Sequence, residues 1–210
     1  VHRTTSTAAR LGRALAVGVT AAVLVLGGSG AVAAPAVRTA PAVGAASHAG
    51  PYGQLRTLAA LSADRLATAD LVAAAKYGTG SPIDDPAREQ QVLDAVSRQA
   101  VEAGGDPEST VRVFRDQIEA NKLVQRALHR QWDADPSSAP TERPDLGKVR
   151  EEINRVNGEL VRALAASAPT RTAPYCDGLL TAATAHVRHA RGLDTLHATA
   201  LRRALPSVCG

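Results

Sequence analysis

Three observations predict an all-α fold. Apolar residues recur three or four positions apart over most of residues 52 to 205, Asp85-Pro86 and Asp106-Pro107 are helix-start signals, and no segment shows the alternation or β-branched enrichment of a strand. At 210 residues the chain suits a single domain with a sizeable core. The architecture expected is a bundle of about six helices, the last two stapled by a disulfide.

The first 33 residues stand apart. Arg3, Arg10 and Arg13 precede an apolar run from Ala14 to Leu26, and Ala31-Val32-Ala33 follows, with no acidic residue among them. This pattern predicts a secretory signal peptide over 1–33, cleaved near Ala33, and so a secreted or periplasmic protein. The run of 13 residues falls short of the roughly 20 needed to span a membrane, so no membrane association is expected after processing. Removing the three arginines of this segment from 24 cations leaves 21 against 20 acids. The near-neutral remainder and the scarcity of aromatic residues argue against a nucleic-acid partner. Residues 34–50, rich in Ala, Pro and Gly without periodicity, read as a flexible leader to a domain over 51–210.

Within that domain the first helix is expected from about Tyr52 to Tyr77. Its seam reads Leu55, Leu58, Ser62, Arg65, Ala69, Val72, Lys76, which puts two cations in line with apolar residues. Gly78, Gly80 and Pro82 break the helix; Asp85 then caps a second, with Pro86 at its first position and Val92, Val96 and Ala100 on the Arg88 side. Gly104-Gly105 stop it, and Asp106-Pro107 open a third helix to about Trp132 with the seam Val111, Phe114, Ile118, Asn121, Gln125, Leu128, Trp132. The segment DADPSSAPTERP is a loop by composition. Asp145 caps a fourth helix that turns Val149, Ile153, Val156 and Leu160 inward, with Arg150 beside them. Two shorter helices follow, about 176–191 and 194–205. Cys176 and Cys209 are the only cysteines, and an even count in an exported chain predicts a disulfide between them. Closing that loop contributes roughly 3 to 4 kcal/mol on the chain-entropy model.

The polar residues in apolar seams carry the functional signal. Arg65 and Lys76 are three helical turns apart and point the same way, about 16 Å apart along the axis. Each read alone is most simply a surface cation with its stem laid over apolar neighbours. Two features count against that reading. A chain with 21 arginines and three lysines ends the apolar run LVAAAKY on a lysine, where a compact charge serves differently from a planar fork. Asn121 and Gln125 also sit one turn apart on the third seam, and buried amides need partners. Together they describe a polar pocket inside a bundle, lined by cations and neutral donors, suited to a small dianion. Other chemistry is weakly signalled. His186, His189 and His197 lack the thiolate or matched carboxylate of a metal centre, so no metal is expected. Gly78-Thr79-Gly80-Ser81 follows no strand, which counts against a phosphate loop, and no nucleophile elbow is present outside the first 33 residues.

Arg65, Lys76 eleven residues on, Pro-Ile-Asp-Asp-Pro-Ala-Arg-Glu from Pro82 to Glu89, and Asn121-x-x-x-Gln125 together resemble the AroQ chorismate mutases. The export signal, the cysteine pair and the additional helices are similar to the secreted gamma class, over about residues 52–209. VREEINRVNGELVRAL resembles the family segment that presents a further substrate-binding arginine, here Arg150. The resemblance implies cofactor-free rearrangement of chorismate to prephenate, within a site built from one chain, and relatives point to a homodimer. It implies Lys76 and Gln125 at the ether oxygen as catalytic groups. Arg65, Arg88 and Arg150 would hold the two carboxylates, Glu89 would accept the ring hydroxyl, and Asn121 would contact substrate. An alternative that the residues leave open is a secreted helical protein that binds a small dianion without turnover.

Overall fold

The computed structural model describes residues 49–210. The expected signal peptide and all but the last two residues of the leader lie outside them. Among the described residues there is no strand. Seven α-helices run α1 (Pro51–Lys76), α2 (Pro86–Glu102), α3 (Pro107–Ala134), α4 (Leu146–Ala166), α5 (Ala168–Arg171), α6 (Cys176–Ala190) and α7 (Thr195–Arg203), with 3-10 turns at Pro136–Ser138 and Pro206–Val208.

The helix starts have the causes read from the sequence. The Asp85 carboxylate accepts from the Arg88 amide at 3.0 Å, that of Asp106 from Glu108 and Ser109 at 3.1 and 3.0 Å, and that of Asp145 from Gly147 and Lys148 at 2.7 and 3.2 Å. Each satisfies orphan donors of a first turn, a contribution of about 1 kcal/mol per cap. Between α1 and α2 the chain reverses through Gly78 and Gly80, at φ 69° and 75°. That left-handed region costs a residue with a Cβ about 1 kcal/mol or more.

α1 is the central element, packing against α3, α4 and α6. It buries small residues on several faces, among them Ala59, Ala63, Ala69 and Ala73, so neighbouring helices can approach closely. Phe114, Leu55, Leu58, Leu160, Leu164 and Leu201 are the largest fully buried side chains of the core. A smaller cluster forms where Trp132 meets Ala73 and Ala74, with Tyr77 and Ala139 against it, fastening the loop after α3 to the end of α1.

Three details differ from the sequence reading. Seven helices replace six, because α5 is a single turn around Pro169 too short to show periodicity. α1 ends at Lys76, one residue before the expected Tyr77, and α3 runs on to Ala134 beyond Trp132. Ile153 and Val111, expected to face inward, are only half-buried. The Cys176–Cys209 disulfide is present, with Cα atoms 5.8 Å apart. It joins the start of α6 to the segment after α7, so it fastens the end of the chain rather than linking two helices side by side.

That end is also held by Arg171, a residue the sequence reading did not single out. It is buried, with Nε donating to the Val208 carbonyl at 2.8 Å, Nη1 to that of Leu164 at 3.4 Å and Nη2 to the Ser109 hydroxyl at 2.5 Å. The Gly210 amide in turn donates to the Arg171 carbonyl at 3.1 Å.

Candidate active site

Arg65, Lys76, Arg88, Glu89, Asn121, Gln125 and Arg150 all line one cavity of about 110 Å³ between α1, α2, α3 and α4. Val72, Val92, Ile118, Ile83, Leu146 and Ile153 form its apolar wall. The seam on α1 brings Arg65 and Lys76 to the cavity, the first turn of α2 brings Arg88 and Glu89, the seam of α3 brings the amides, and α4 brings Arg150.

Arg65 is the deepest cation, 5% exposed. Its Nε donates to the Asn157 side-chain oxygen at 2.9 Å and its Nη1 to the Gln117 carbonyl at 3.0 Å, while Phe114 lies under the guanidinium at 5.7 Å. Nη2 has no hydrogen-bond partner among the described residues. Burial pulls the Arg65 pKa down to about 10, since a charge without a carboxylate is poorly solvated there.

Lys76 is half-buried, and its ammonium donates to the Pro82 carbonyl at 2.8 Å, across the glycine turn. Its pKa is lowered, first by desolvation; Asp85 pulls it back up, Arg150 adds to the lowering, and Asp84 and Glu89 oppose it. Arg88 donates through Nη1 to the Gln91 side chain at 3.1 Å. Arg150 is exposed on α4. Among the described residues none of these four cations forms an ion pair.

On α3 the Gln125 Nε2 donates to Asn121 Oδ1 at 2.7 Å, and Asn121 Nδ2 reaches the Arg65 carbonyl at 3.5 Å. Gln125 is 4% exposed and its Oε1 has no partner. A buried amide with an open acceptor and one uncommitted hydrogen beside a cavity is built for a ligand as much as for the protein.

Two cavity residues carry more than the sequence reading gave them. Asp85, a helix cap, also lines the cavity. Lys122 carries no periodic signal, yet its ammonium lies 3.1 and 3.2 Å from the two Glu89 oxygens, 3.3 Å from Asp84 and 2.5 Å from Glu119. The signal that marked Lys76, a lysine chosen in an arginine-rich chain, was equally available at Lys122.

The fold and the cavity define a class: a helical protein with a cleft lined by neutral donors and by cations that form no ion pair among the described residues. Residues 56–126 match the family model described as chorismate mutase type II. The chain is 41% identical over 148 residues to a secreted chorismate mutase of Mycolicibacterium smegmatis, covering 70% of this chain and 82% of the relative. It is 35% identical over 156 residues to the secreted chorismate mutase of Mycobacterium tuberculosis, covering 74% and 78%. Among solved structures, a chorismate mutase from Burkholderia phymatum superposes with a TM-score of 0.72 at 36% identity, over 76% of this chain and 98% of that one. The chain belongs to the chorismate mutase family.

Proposed function

We propose that this chain rearranges chorismate to prephenate in the cavity between α1 and α4, by an intramolecular Claisen reaction. The carrying observation is the set of four cations, Arg65, Lys76, Arg88 and Arg150, that line one small cavity without an ion-pair partner among the described residues. Like charges gathered at a partly buried site repel one another and lose hydration, and a bound dianion relieves both costs.

In the reaction the ether C–O bond breaks while a C–C bond forms at the far end of the enolpyruvyl group, so all atoms stay in one molecule. Negative charge grows on the ether oxygen as its bond lengthens. Lys76 and the free N–H of Gln125 stabilise that charge more in the transition state than in the ground state, which is what raises kcat. Arg65, Arg88 and Arg150 bind the two carboxylates and hold the folded, reactive shape, an orientation effect. Glu89 accepts the ring hydroxyl, and Asn121 orders the Gln125 amide beside the substrate. No step calls on a nucleophile from the protein.

The N-terminal pattern and the relatives' description as secreted support export of this chain, with cleavage near Ala33. Among the described residues no helix is long and apolar enough to cross a membrane. Homodimerisation is proposed on the resemblance alone.

Following chorismate directly with purified protein from residue 34 onward tests the function. Conversion to prephenate is expected. Saturable binding with no conversion would leave a dianion-binding protein in its place.

A further inference from the structure

The cleft has four cations without an ion-pair partner among the described residues and a fifth at its edge that is thoroughly neutralised. The Lys122 side chain is only 10% exposed, and it faces carboxylates from three places: Asp84 on the turn before α2, Glu89 on its first turn and Glu119 one turn back on α3. Arg126 shares Asp84 at 2.5 Å, so the turn is anchored to α3 by two cations. For Glu89, Lys122 is the sole side-chain partner among the described residues, bound through both oxygens.

The position of Glu89 makes this pairing consequential. It follows Arg88 directly and lines the same cavity as Arg65, Lys76 and Arg150, and its charge is felt at Lys76. A flexible carboxylate released there has nearby cations to pair with, and each such pair removes a charge that the dianion needs. Glu89 is thus both a contact for the ligand and an internal competitor with it.

We infer that Lys122 is a positioning residue: it holds Glu89 on the α3 side of the cleft, so that the carboxylate stays aimed at the substrate and away from the cations that bind it. This rests on the proposed roles of Glu89 and the cleft cations. The interaction suits an ammonium, because one compact charge can face three separate carboxylates where a planar guanidinium would favour two oxygens of one. Removing Lys122 leaves its three acids without a shared counter-ion, and Glu89, the one beside the cations, moves toward them. Substrate binding suffers in ground and transition state alike, which appears in KM more than in kcat.

The test is a double-mutant cycle on Lys122→Met and Glu89→Ala, read by chorismate turnover and by calorimetric binding of prephenate, with melting curves as a fold control. Lys122→Met is expected to raise KM and weaken prephenate binding about 10- to 100-fold, as misplacement of a site group does, with a smaller change in kcat. Adding Glu89→Ala to it should bring both values back to those of Glu89→Ala alone, since no carboxylate is left to stray. Lys122→Gln, which keeps a donor and drops the charge, supplies the same cycle if the Met variant does not fold. Additive losses in the double variant, or a Lys122→Met protein with wild-type KM and binding, overturn the inference. A wild-type protein that binds prephenate without converting chorismate defeats the proposed function instead, and the binding cycle still decides the role of Lys122.

Discussion

Arg65 and Arg171 are both buried guanidinium groups without an ion-pair partner among the described residues, and both reach α3, about two turns apart. Arg171 spends all three nitrogens on protein oxygens, at Val208, Leu164 and Ser109. Arg65 spends two, on Asn157 and Gln117, and leaves the third uncommitted where it lines the cavity. Burial lowers the pKa of each; for Arg171 Asp106 offsets part of this and Arg112 adds to it, while for Arg65 desolvation alone acts. The same side chain in similar burial is therefore a structural tie in one place and an open receptor in the other. The difference lies in how many donors the fold consumes.

The largest effect expected from that difference is at the receptor end. Lys76→Ala should lower kcat by at least about 100-fold, the loss seen when a donor to a developing oxyanion is removed. Arg65→Met should raise KM by about 10-fold or more, the worth of a charge-assisted hydrogen bond. Steady-state kinetics alongside melting curves check both, and near-native kcat in Lys76→Ala would remove it from the ether oxygen.

At the stapled end the pattern should invert. Cys176→Ser should cost roughly 2 to 5 kcal/mol, and Arg171→Met about 3 kcal/mol, through the oxygens it leaves buried and unpaired. Denaturant titration measures these losses, and kcat of the folded fraction should stay within about twofold of wild type, because surface and structural changes away from the site leave transition-state contacts intact. A large fall in kcat for Arg171→Met would erase the contrast.

A subtler probe is Gln125→Glu. An amide donates at any pH, whereas a carboxyl at that buried position donates only when protonated and otherwise opposes the growing negative charge. The variant should be slow at neutral pH and recover on acidification, while the wild type shows no such recovery. A Glu variant without pH dependence in kcat would place Gln125 away from the reacting oxygen.

The smallest effect is expected where α7 meets α1. His197 Nε2 lies 3.0 Å from Asp70 and Nδ1 2.9 Å from Asp194. Desolvation is the largest influence and lowers its pKa, but the hydrogen bonds and charges of Asp70 and Asp194 together outweigh it, and the net direction is up. A raised pKa in the folded state stabilises the fold below the ordinary histidine value of about 6.5, and the contribution is lost as pH rises through the folded value. Melting temperature should therefore decline slightly from about pH 6 to 9 by an amount worth no more than about 1 kcal/mol, and His197→Gln should flatten that decline.

Much of this contrast was legible one residue at a time. The Asp-Pro starts, the interrupted seams and the R-x10-K-x11-RE spacing are local signals, and local signals report periodicity and caps faithfully. What escaped was long-range. Arg65 is held by partners 92 and 52 positions away, Asn157 and the Gln117 carbonyl, and no helical period announces that pairing. Arg171 escaped because its segment is a single turn, and two of its three bonds go to backbone carbonyls, which every residue possesses. Lys122 escaped for another reason: it sits one position beyond the apolar seam, where a charge reads as solvated surface until the acids from the turn and from α2 are seen closing over it.

All seven proposed site residues project into the cavity from helices of a single polypeptide. Turnover per molecule should then be independent of enzyme concentration, since no encounter with a second copy is needed to complete the constellation. Under dilution a site shared between copies would dissolve with the assembly, and the proposed export would make that condition matter. A self-contained cleft keeps its specific activity down to the last molecule, and assay linearity from micromolar to picomolar protein would display that property directly.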